Sequence, residues 1–302
     1  MELNKKGYPS SDAQFQDIMD FYTSCFEEKL QEYTAQLNVN SVDYISLSEA
    51  SAYSLAAGGK RIRPVLVFEF CRVCGGNIID AIPAALAIEM IHTFSLIHDD
   101  LPCMDDDDMR RGKPSCHKAY GEAKALLAGD ALIIKAFDVL ASSQLEPTKV
   151  KDMVKILSEC SYKMTGGQVV DISGDIDSTD VLLKMYSYKT SQLIIASSLM
   201  GCVAAGADEK KMAATYDYAY NLGLAFQIID DILDVTSDKE TLGKPVGSDE
   251  KQNKNTMVTF VGLDEAKKLA KEYTDKAMKS LDCFDDNEFL VALTNTLLGR
   301  KK

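Results

Sequence analysis

The stretch AIPAALAIEMIHTFSLIHDD, residues 81–100, is apolar on nearly every side of a helix and ends in two acids. Glu89 is its only charge before the terminal pair, Asp99 and Asp100. A helix without a polar face belongs inside a protein, because no side of it gains from contact with water. The stretch YAYNLGLAFQIIDDILDV, residues 218–235, has the same character. The sequence therefore predicts two buried helices that each carry carboxylates toward the C-terminal end.

The rest of the chain has helical spacing with more polar faces. No strand-turn-strand signature is present, since VLVFEF (65–70) alternates only briefly and continues into helix-compatible sequence. No linker rich in Pro, Gly or Ser divides the chain, and no repeat of 20–50 residues is found. We therefore expect a single all-α domain over residues 1–302. Its further helices are predicted over 13–37, 121–143, 147–172, 180–205 and 262–281.

The composition describes a globular protein with 302 residues, of which 46% are hydrophobic and 26% charged. The net charge of −13 argues against nucleic acid as a partner, because that binding depends on Lys and Arg neutralising phosphates. The N-terminal MELNKKGYPSSD lacks the apolar core of a signal peptide. No uninterrupted apolar run approaches the roughly 18 residues of a membrane helix. We expect a cytoplasmic protein without stable membrane insertion.

The eight cysteines are scattered, and only CRVC (71–74) has a spacing typical of metal ligands. No second Cys pair or Cys/His pair completes such a site. Intracellular proteins use cysteine as a small apolar residue, so reduced thiols are predicted. A redox role for Cys71 and Cys74 stays open.

The second buried stretch carries a polar stripe on an otherwise apolar helix. Gln227, Asp230, Asp231 and Asp234 are spaced i, i+3, i+4 and i+7, which places them on one face. Their neighbours are Ile, Leu and Val, whereas a solvated face would include Lys, Glu or Ser. Buried carboxylates are costly unless a cation compensates them. The pattern favours metal binding over a solvated face.

The first buried stretch carries a comparable stripe. His92, Ser95 and Asp99 are spaced i, i+3 and i+7, so Asp99 ends a polar stripe inside the core. Pro102 disfavours helical geometry at the residue before it. Asp105 is therefore predicted to approach from a helix end or bulge and to join Asp100 in a carboxylate cage. Taken alone, His92 is more typical of a hydrogen-bonded core histidine than of a ligand.

These sites offer only oxygen ligands, which suggests Mg²⁺ shared with substrate phosphates. A helix-loop-helix calcium site would need alternating acids, a central Gly and a Glu at the twelfth place. The sequence DDLPCMDDDDMR (99–110) lacks that register. Basic residues beside glycines or acids could hold the phosphate charge, although single Lys or Arg residues more often only solubilise a surface. These candidates are Lys60, Arg61 and Arg63 beside Gly58 and Gly59, then Arg110, Arg111, Lys189, Lys244 and Lys254.

Taken together, these motifs resemble the trans-isoprenyl diphosphate synthases, and within them the bacterial farnesyl diphosphate synthases. The resemblance covers nearly the whole chain. Two Asp-rich motifs in this order, together with the GGKRxRP motif, form a highly specific signature. The segments that carry it are GGKRIRP (58–64), FSLIHDDLPCMDDDDMRRG (94–112), LAGDALI (127–133), TGGQVVDI (165–172), YKTSQL (188–193), FQIIDDILD (226–234) and TLGKPVGSDEKQNKNT (241–256).

The resemblance implies the isoprenoid synthase fold, with antiparallel helices around a deep central cavity and the two Asp motifs facing each other. It implies head-to-tail condensation of isopentenyl diphosphate with dimethylallyl and geranyl diphosphate to give farnesyl diphosphate. It also implies about three Mg²⁺ ions in each active site and a homodimer. The departing diphosphate would remove the final proton, which agrees with the absence of an evident catalytic dyad.

By the same resemblance, Asp99 and Asp105 hold two Mg²⁺ ions and Asp230 holds the third. Asp100, Asp231 and Asp234 support them. The allylic diphosphate is implied to contact Arg110, Lys189, Gln227, Lys244 and Lys254. Isopentenyl diphosphate is implied to contact Gly59, Lys60, Arg63, His92 and Arg111. Thr190 and Gln227, beside Lys189, could orient dipoles toward the allylic cation.

Product length is assigned by the resemblance to the residues four and five positions before Asp99, which are Ser95 and Phe94. Phe94 as the floor of the hydrocarbon tunnel indicates a fifteen-carbon product, although Phe94 could also be plain core. A geranylgeranyl or geranyl diphosphate synthase is the nearest alternative. A terpene cyclase would have no use for the GGKRxRP cluster, and a non-catalytic partner subunit would be expected to have lost an Asp motif. A metal-storage protein would leave the basic clusters unexplained.

Overall fold

The computed structural model describes residues 14–39, 45–236 and 255–299. Lys244 and Lys254 lie outside the described residues, so their predicted roles stay predictions. The chain forms two compact units, Met1–Lys155 with Val203–Gly206 and Ile156–Cys202 with Ala207–Lys302. Each unit has its own acidic motif. The single domain predicted from the sequence stays a prediction.

The first unit is organised around the apolar helix α4. Asn77 caps this helix, because its side chain accepts a hydrogen bond from the Ile79 N–H at 3.1 Å. The helix packs against α3 and α6, and Ala84, Ile88 and Ile91 are fully buried. Its elements are α1 (Phe15–Val39), α2 (Ile45–Leu55), α3 (Ile62–Val73), α4 (Ile78–Asp99), β1 (Met109–Arg110), β2 (Lys113–Pro114), α5 (Cys116–Tyr120), α6 (Glu122–Ala141) and the start of α7 (Pro147–Ser173).

Helix α4 has the length and composition of a membrane span. Core helices of folded proteins pass the same test, and more than half of its apolar window is buried within the protein. The absence of membrane insertion stays a prediction.

A short hairpin interrupts the helices of the first unit. Strands β1 and β2 pair antiparallel, with Met109 opposite Pro114 and Arg110 opposite Lys113. The two residues between them have positive φ, 53° at Arg111 and 77° at Gly112, as in the turns that fit the twist of a hairpin. The sequence did not predict this hairpin, because two-residue strands have no measurable alternation. It carries both arginines that follow the acidic run.

The second unit is built on α10 (Glu209–Thr236), which packs against α12 (Leu263–Ser280) and against the π-helical turn Ser187–Ser191. Tyr218, Ala219, Leu222, Leu224, Ala225 and Ile228 line its buried face. The elements are the rest of α7, α8 (Thr179–Tyr186), the π-helical turn Ser187–Ser191, α9 (Gln192–Ala205), α10 (Glu209–Thr236), α11 (Met257–Val261), α12 (Leu263–Ser280), a 3₁₀ turn (Leu281–Cys283) and α13 (Glu288–Leu298).

The predicted fold class is confirmed, since helices account for nearly all regular structure in the described residues. The predicted helical segments lie on observed helices, although α10 begins nine residues before the predicted 218–235 stretch and a π-helical turn interrupts the predicted 180–205 helix. The VLVFEF stretch lies inside α3, as the helix-compatible flanks indicated.

Candidate functional site

The first acidic motif is closed by a loop that folds back on the end of α4. The Asp105 N–H donates to the Asp99 carbonyl at 2.9 Å. Within the loop, the N–H groups of Met104 and Asp106 donate to the Leu101 carbonyl at 2.8 and 3.2 Å. This loop agrees with the predicted approach of Asp105 from a helix end or bulge, and the carboxylate cage predicted for Asp105 and Asp100 stays a prediction. The loop brings the backbone of Asp105 directly beside Asp99.

Asp100, the second acid of this motif, is buried and already ion-paired. Its side chain is 2% exposed. The Nε of Arg110 donates to its two oxygens at 2.9 and 3.2 Å, and Arg110 Nη2 donates to Asp100 as well. Arg110 Nη2 also lies 3.2 Å from Asp107 Oδ2. Asp100 therefore fixes the position of an arginine in the hairpin, and the metal-supporting role predicted for Asp100 stays a prediction.

Four of the predicted basic residues line one cavity of about 190 Å³. Arg63 Nη1 and Arg111 Nη2 lie 3.3 and 3.4 Å from Nε2 of His92. Because a guanidinium can only donate, His92 Nε2 must accept and its proton must be on Nδ1. The cavity is lined by Lys60, Arg61, Ile62, Arg63, Glu89, His92 and Arg111.

The electrostatics of this cavity favour an anion. Burial and the nearby cations, first among them Arg63 and then Arg111, lower the pKa of His92 well below 6.5, so the ring is neutral at pH 7. The buried Nε of Arg63 has no hydrogen-bond partner among the described residues. A buried donor without a partner is costly, and an anion in the cavity would satisfy it. The residues assigned to isopentenyl diphosphate thus form a site suited to a diphosphate.

Gly59 allows the hairpin to approach the basic loop. Its φ is +124°, and a Cβ there would lie 2.7 Å from Cζ of Arg111. Nη1 of Arg111 donates to the carbonyl of Gly58. Lys60, the next residue, is exposed. Glycine at position 59 therefore makes room for Arg111, which joins the hairpin to the loop.

A further acidic group lies beside the hairpin. The ligand atoms of Asp106, Asp108 and His117 all lie within 4.8 Å of one another. However, the ammonium of Lys118 is 2.7 Å from Asp108 and 3.9 Å from Asp106. A metal ion there would have to displace this internal cation, so the charge of the group is already compensated.

In the second unit, Asp230, Asp231 and Asp234 share a stripe on α10, and their environments differ. Asp230 and Asp234 are half-buried. Asp231 is 4% exposed, and its Oδ2 accepts from the Tyr186 hydroxyl and, at 2.7 Å, from the Met257 N–H. Its carboxylate thus fastens α10 to the start of α11. The metal-supporting role predicted for Asp231 stays a prediction.

The three residues predicted to act at the allylic group lie together. Thr190 Oγ1 donates to Gln227 Oε1 at 3.0 Å. Lys189, in the same π-helical turn, forms an ion pair with Asp171 of α7. Sequence reasoning gave no role to Asp171, although the TGGQVVDI segment contains it. The turn itself was also missed, because an α-helix and a π-helix have the same hydrophobic pattern over five residues.

Two glycines shape the surroundings of the π-helical turn. A Cβ on Gly167 of α7 would lie 2.4 Å from the Lys189 backbone nitrogen. A Cβ on Gly223 of α10 would lie 2.3 Å from the Ser191 hydroxyl oxygen. Real Cβ atoms do not tolerate such contacts. Both glycines therefore let the turn approach its neighbouring helices, and π-helical turns are frequent at functional sites.

The two residues assigned to the tunnel floor face different neighbours. The Phe94 ring lies 5.7 Å from the His98 ring in an edge-to-face arrangement. His98 Nε2 is 3.0 Å from the Leu126 carbonyl of α6. Ser95 is turned back to α4, where its hydroxyl donates to the His92 carbonyl at 2.8 Å. The small side chain, not the aromatic one, therefore lies one turn before Asp99 on the same stripe.

The donors of both acidic motifs fit magnesium. Asp99, Asp230 and Asp234 are half-buried, and Asp105 is exposed. All four offer carboxylate oxygens, which are ligands that Mg²⁺ prefers. Mg²⁺ also keeps several bound waters, which the phosphate oxygens of a substrate can replace.

Comparison with known proteins gives consistent matches. A family model described as polyprenyl synthetase matches residues 45–290. The geranylgeranyl diphosphate synthase of Cyanophora paradoxa is 41% identical over 295 residues, which cover 94% of this chain and 98% of that protein. Geranylgeranyl pyrophosphate synthetase from Pyrococcus horikoshii Ot3 has a TM-score of 0.86 at 30% identity, over 96% of this chain and 100% of that one. A geranyltransferase from Legionella pneumophila has a TM-score of 0.83 at 32% identity, over 95% and 98%.

Proposed function

The chain belongs to the polyprenyl synthetase family, and from that premise we propose that it makes geranylgeranyl diphosphate. It would extend dimethylallyl diphosphate with isopentenyl diphosphate through the ten- and fifteen-carbon intermediates. Short-chain prenyl transfer follows from the family, and the twenty-carbon product is the finer part of the proposal. The observation that most supports the twenty-carbon product is the 41% identity to a geranylgeranyl diphosphate synthase over almost the full length of that protein.

The residues near Asp99 support this product length. Residues at i and i−4 lie one above the other on a helix, so Ser95 lies below Asp99. A serine leaves more room for a growing chain than an aromatic residue. Phe94 contacts His98 instead. The resemblance to bacterial farnesyl diphosphate synthases predicted a fifteen-carbon product, and the identity to the Cyanophora relative favours the alternative.

We assign the substrate roles by the chemistry of each cluster. In the first unit, Arg63 and Arg111 provide forked donors for the isopentenyl diphosphate, with Lys60 as a point charge and neutral His92 holding the two forks. Arg110, fixed by Asp100, faces the metal loop as a donor to the allylic diphosphate.

In the second unit, the proposed contacts to the allylic substrate come from the π-helical turn and from α10. Lys189 binds a diphosphate oxygen in place of Asp171, its ion-pair partner in the structure. Thr190 and Gln227 present oxygen dipoles that stabilise positive charge on the allylic carbon. Asp230 and Asp234 are the proposed metal ligands of this unit, as Asp99 and Asp105 are in the first.

The chemistry requires separation of charge without a side-chain nucleophile. The allylic C–O bond breaks, and its electron pair leaves with the diphosphate. Magnesium, when bound, supplies the positive charge that stabilises that leaving group. Cationic side chains hold the diphosphate as its charge increases, and the isopentenyl double bond attacks the allylic carbon. Loss of a proton from the carbon beside the new cation turns that C–H electron pair into the double bond of the product, with the released diphosphate as the proposed proton acceptor.

Farnesyl diphosphate is the second candidate product, because Phe94 lies five residues before Asp99. The experiment is incubation with Mg²⁺, dimethylallyl diphosphate and labelled isopentenyl diphosphate, followed by chromatography of the dephosphorylated products. We expect a dominant twenty-carbon alcohol. A dominant fifteen-carbon alcohol that becomes longer in Phe94→Ala would overturn the product assignment and establish Phe94 as the floor. The homodimer, the cytoplasmic location and the count of three metal ions stay predictions.

A further inference from the structure

The anion cavity of the first unit contains one arginine that differs from its neighbours. Arg63, Arg111 and Lys60 line the cavity, and Arg63 and Arg111 each direct one nitrogen to His92. Arg61 is 3% exposed, and its guanidinium is fully engaged with the protein. Nε donates to Glu27 at 2.6 Å, Nη1 to Glu89 at 2.6 Å, and Nη2 to the Leu55 carbonyl at 2.9 Å. Its three nitrogens therefore bind α1, α4 and the end of α2.

The backbone of Arg61 is equally unusual. Its φ of 50° and ψ of 31° are left-handed, a conformation that non-glycine residues seldom adopt. The residue precedes α3, and its carbonyl accepts the Val65 N–H at 3.0 Å. Lys60 lies just before this turn, and Arg63 lies two residues after it. The directions in which Lys60 and Arg63 leave the chain therefore depend on the left-handed turn.

Glu89 gives Arg61 a second effect on the cavity. Its carboxylate is 1% exposed and lines the same cavity as Arg63 and Arg111. The charge of Glu89 acts on all three arginines. Burial lowers the pKa of Arg63 and Arg111 and Glu89 opposes that lowering, whereas at Arg61 the charges of Glu89 and Glu27 outweigh burial and raise the pKa. A buried carboxylate without a partner attracts the nearest cation. The bond to Arg61 keeps Glu89 occupied and leaves Arg63 and Arg111 available to a ligand.

We propose that Arg61 is a positioning residue for isopentenyl diphosphate binding. Its fork holds the left-handed turn that directs Lys60 and Arg63, and it keeps Glu89 from pairing with the ligand-binding arginines. This inference rests on the proposed function. Arg61 itself does not contact the substrate, because its nitrogens are all used within the protein. Lysine cannot replace it, since one ammonium cannot reach three acceptors that lie in fixed, divergent directions.

The test is a pair of substitutions with a matched control. Arg61→Met removes the charge and the fork, and Arg61→Lys keeps only the charge. The control is Arg72→Met on the same helix, where Nε and Nη2 of Arg72 bind buried Glu69 at 2.9 and 2.8 Å. Arg72 lies nine residues beyond Arg63, which is about 14 Å along a helix. The Arg72→Met substitution therefore removes a comparable buried ion pair far from the cavity.

We would measure the KM for isopentenyl diphosphate at saturating geranyl diphosphate, and the KM for geranyl diphosphate at saturating isopentenyl diphosphate. Arg61→Met should raise the first about tenfold or more and change the second by less than about twofold. Arg61→Lys should give an intermediate rise. Arg72→Met should change neither KM, although its thermal midpoint falls. Equal changes in both KM values, or none, would overturn the positioning role.

Two measurements keep the inference testable if folding or turnover fails. Glu27→Ala removes one acceptor of Arg61. Because the side chain of Glu27 is 34% exposed, this variant should fold and raise the KM for isopentenyl diphosphate severalfold. Binding of inorganic pyrophosphate without Mg²⁺, followed by calorimetry, needs no turnover. We expect weaker pyrophosphate binding in Arg61→Met than in Arg72→Met, and equal binding would refute the inference. A wild-type protein that makes no prenyl product would instead refute the proposed function.

Discussion

The two acidic regions have the same Asp-Asp pair, and the structure uses the second acid of each pair differently. Asp100 and Asp231 are both nearly inaccessible, at 2% and 4% exposure. Asp100 is compensated by the cationic fork of Arg110, whereas Asp231 accepts from the neutral Tyr186 hydroxyl and Met257 N–H. In each pair, the first acid is half-buried, whereas the second is an internal anchor that binds neighbouring groups of the protein.

The two anchors, Asp100 and Asp231, stabilise different parts of the protein. Asp100 fixes an arginine on a hairpin outside the helix, so its effect should be on ligand binding. Asp231 joins α10 to α11 and to Tyr186, the residue just before the π-helical turn. Burial and the charge of Asp231 raise the pKa of Tyr186, which keeps this hydroxyl a donor. The effect of Asp231 should therefore be on the stability of the second unit.

The largest expected effect comes from the first acid of each pair. Asp99→Asn and Asp230→Asn should each lower kcat about 10²–10⁴-fold, because each weakens a site that stabilises the leaving diphosphate. Steady-state assays at saturating Mg²⁺ check this, with Asp138→Asn on exposed α6 surface as the control. Near-normal turnover in either variant would remove that aspartate from the metal site.

The second acids should differ in stability. Asp231→Ala removes the acceptor of the buried Tyr186 hydroxyl and should cost about 2 kcal/mol in the free energy of unfolding, while the Met257 N–H keeps the Tyr186 oxygen, 3.1 Å away, as an acceptor. Asp100→Ala should cost less, about 1 kcal/mol, because the side chain of Arg110 is 28% exposed and water can replace the lost partner. Urea denaturation measures both. Equal losses would mean that the two anchors are energetically alike and that the comparison fails.

The glycines of the second unit give a sharper local test. Gly167→Ala places a methyl group against the Lys189 backbone and should destabilise the protein by about 1–3 kcal/mol. Gly166→Ala, one residue earlier, meets open space and should stabilise the helix by about 0.5–1 kcal/mol. Thermal unfolding and the KM for the allylic substrate provide the readouts. If both variants behave alike, close packing does not define the π-helical turn.

The smallest expected effect is the pH dependence due to His92. Its pKa is lowered in the folded protein, so the neutral ring favours the folded state above the unfolded pKa of about 6.5, and this contribution is lost as pH falls below that value. The unfolding free energy of the wild type should therefore decrease between pH 7 and 5 more than that of His92→Gln. Parallel pH profiles for the two proteins would contradict a neutral, buried His92.

Sequence periodicity predicted the second region better than the first. The stripe Gln227, Asp230, Asp231 and Asp234 needed only the helical repeat, and α10 runs through it without a break. Pro102 predicted that Asp105 leaves the helix, but the hairpin after it depends on a turn of two residues. One feature of the sequence could have predicted the role of Arg61. Glu89 is the only charge in the apolar part of its helix, and a lone buried carboxylate requires a partner.

The most direct measurement is a single turnover of geranyl diphosphate with isopentenyl diphosphate, in which released pyrophosphate and new prenyl product are counted together. The account predicts one pyrophosphate for each fifteen-carbon product, no release without isopentenyl diphosphate, and loss of both on chelation of Mg²⁺. Pyrophosphate release without a longer prenyl chain would contradict the account, because the cationic cavity around Arg63 and Arg111 would then have no isopentenyl substrate to hold.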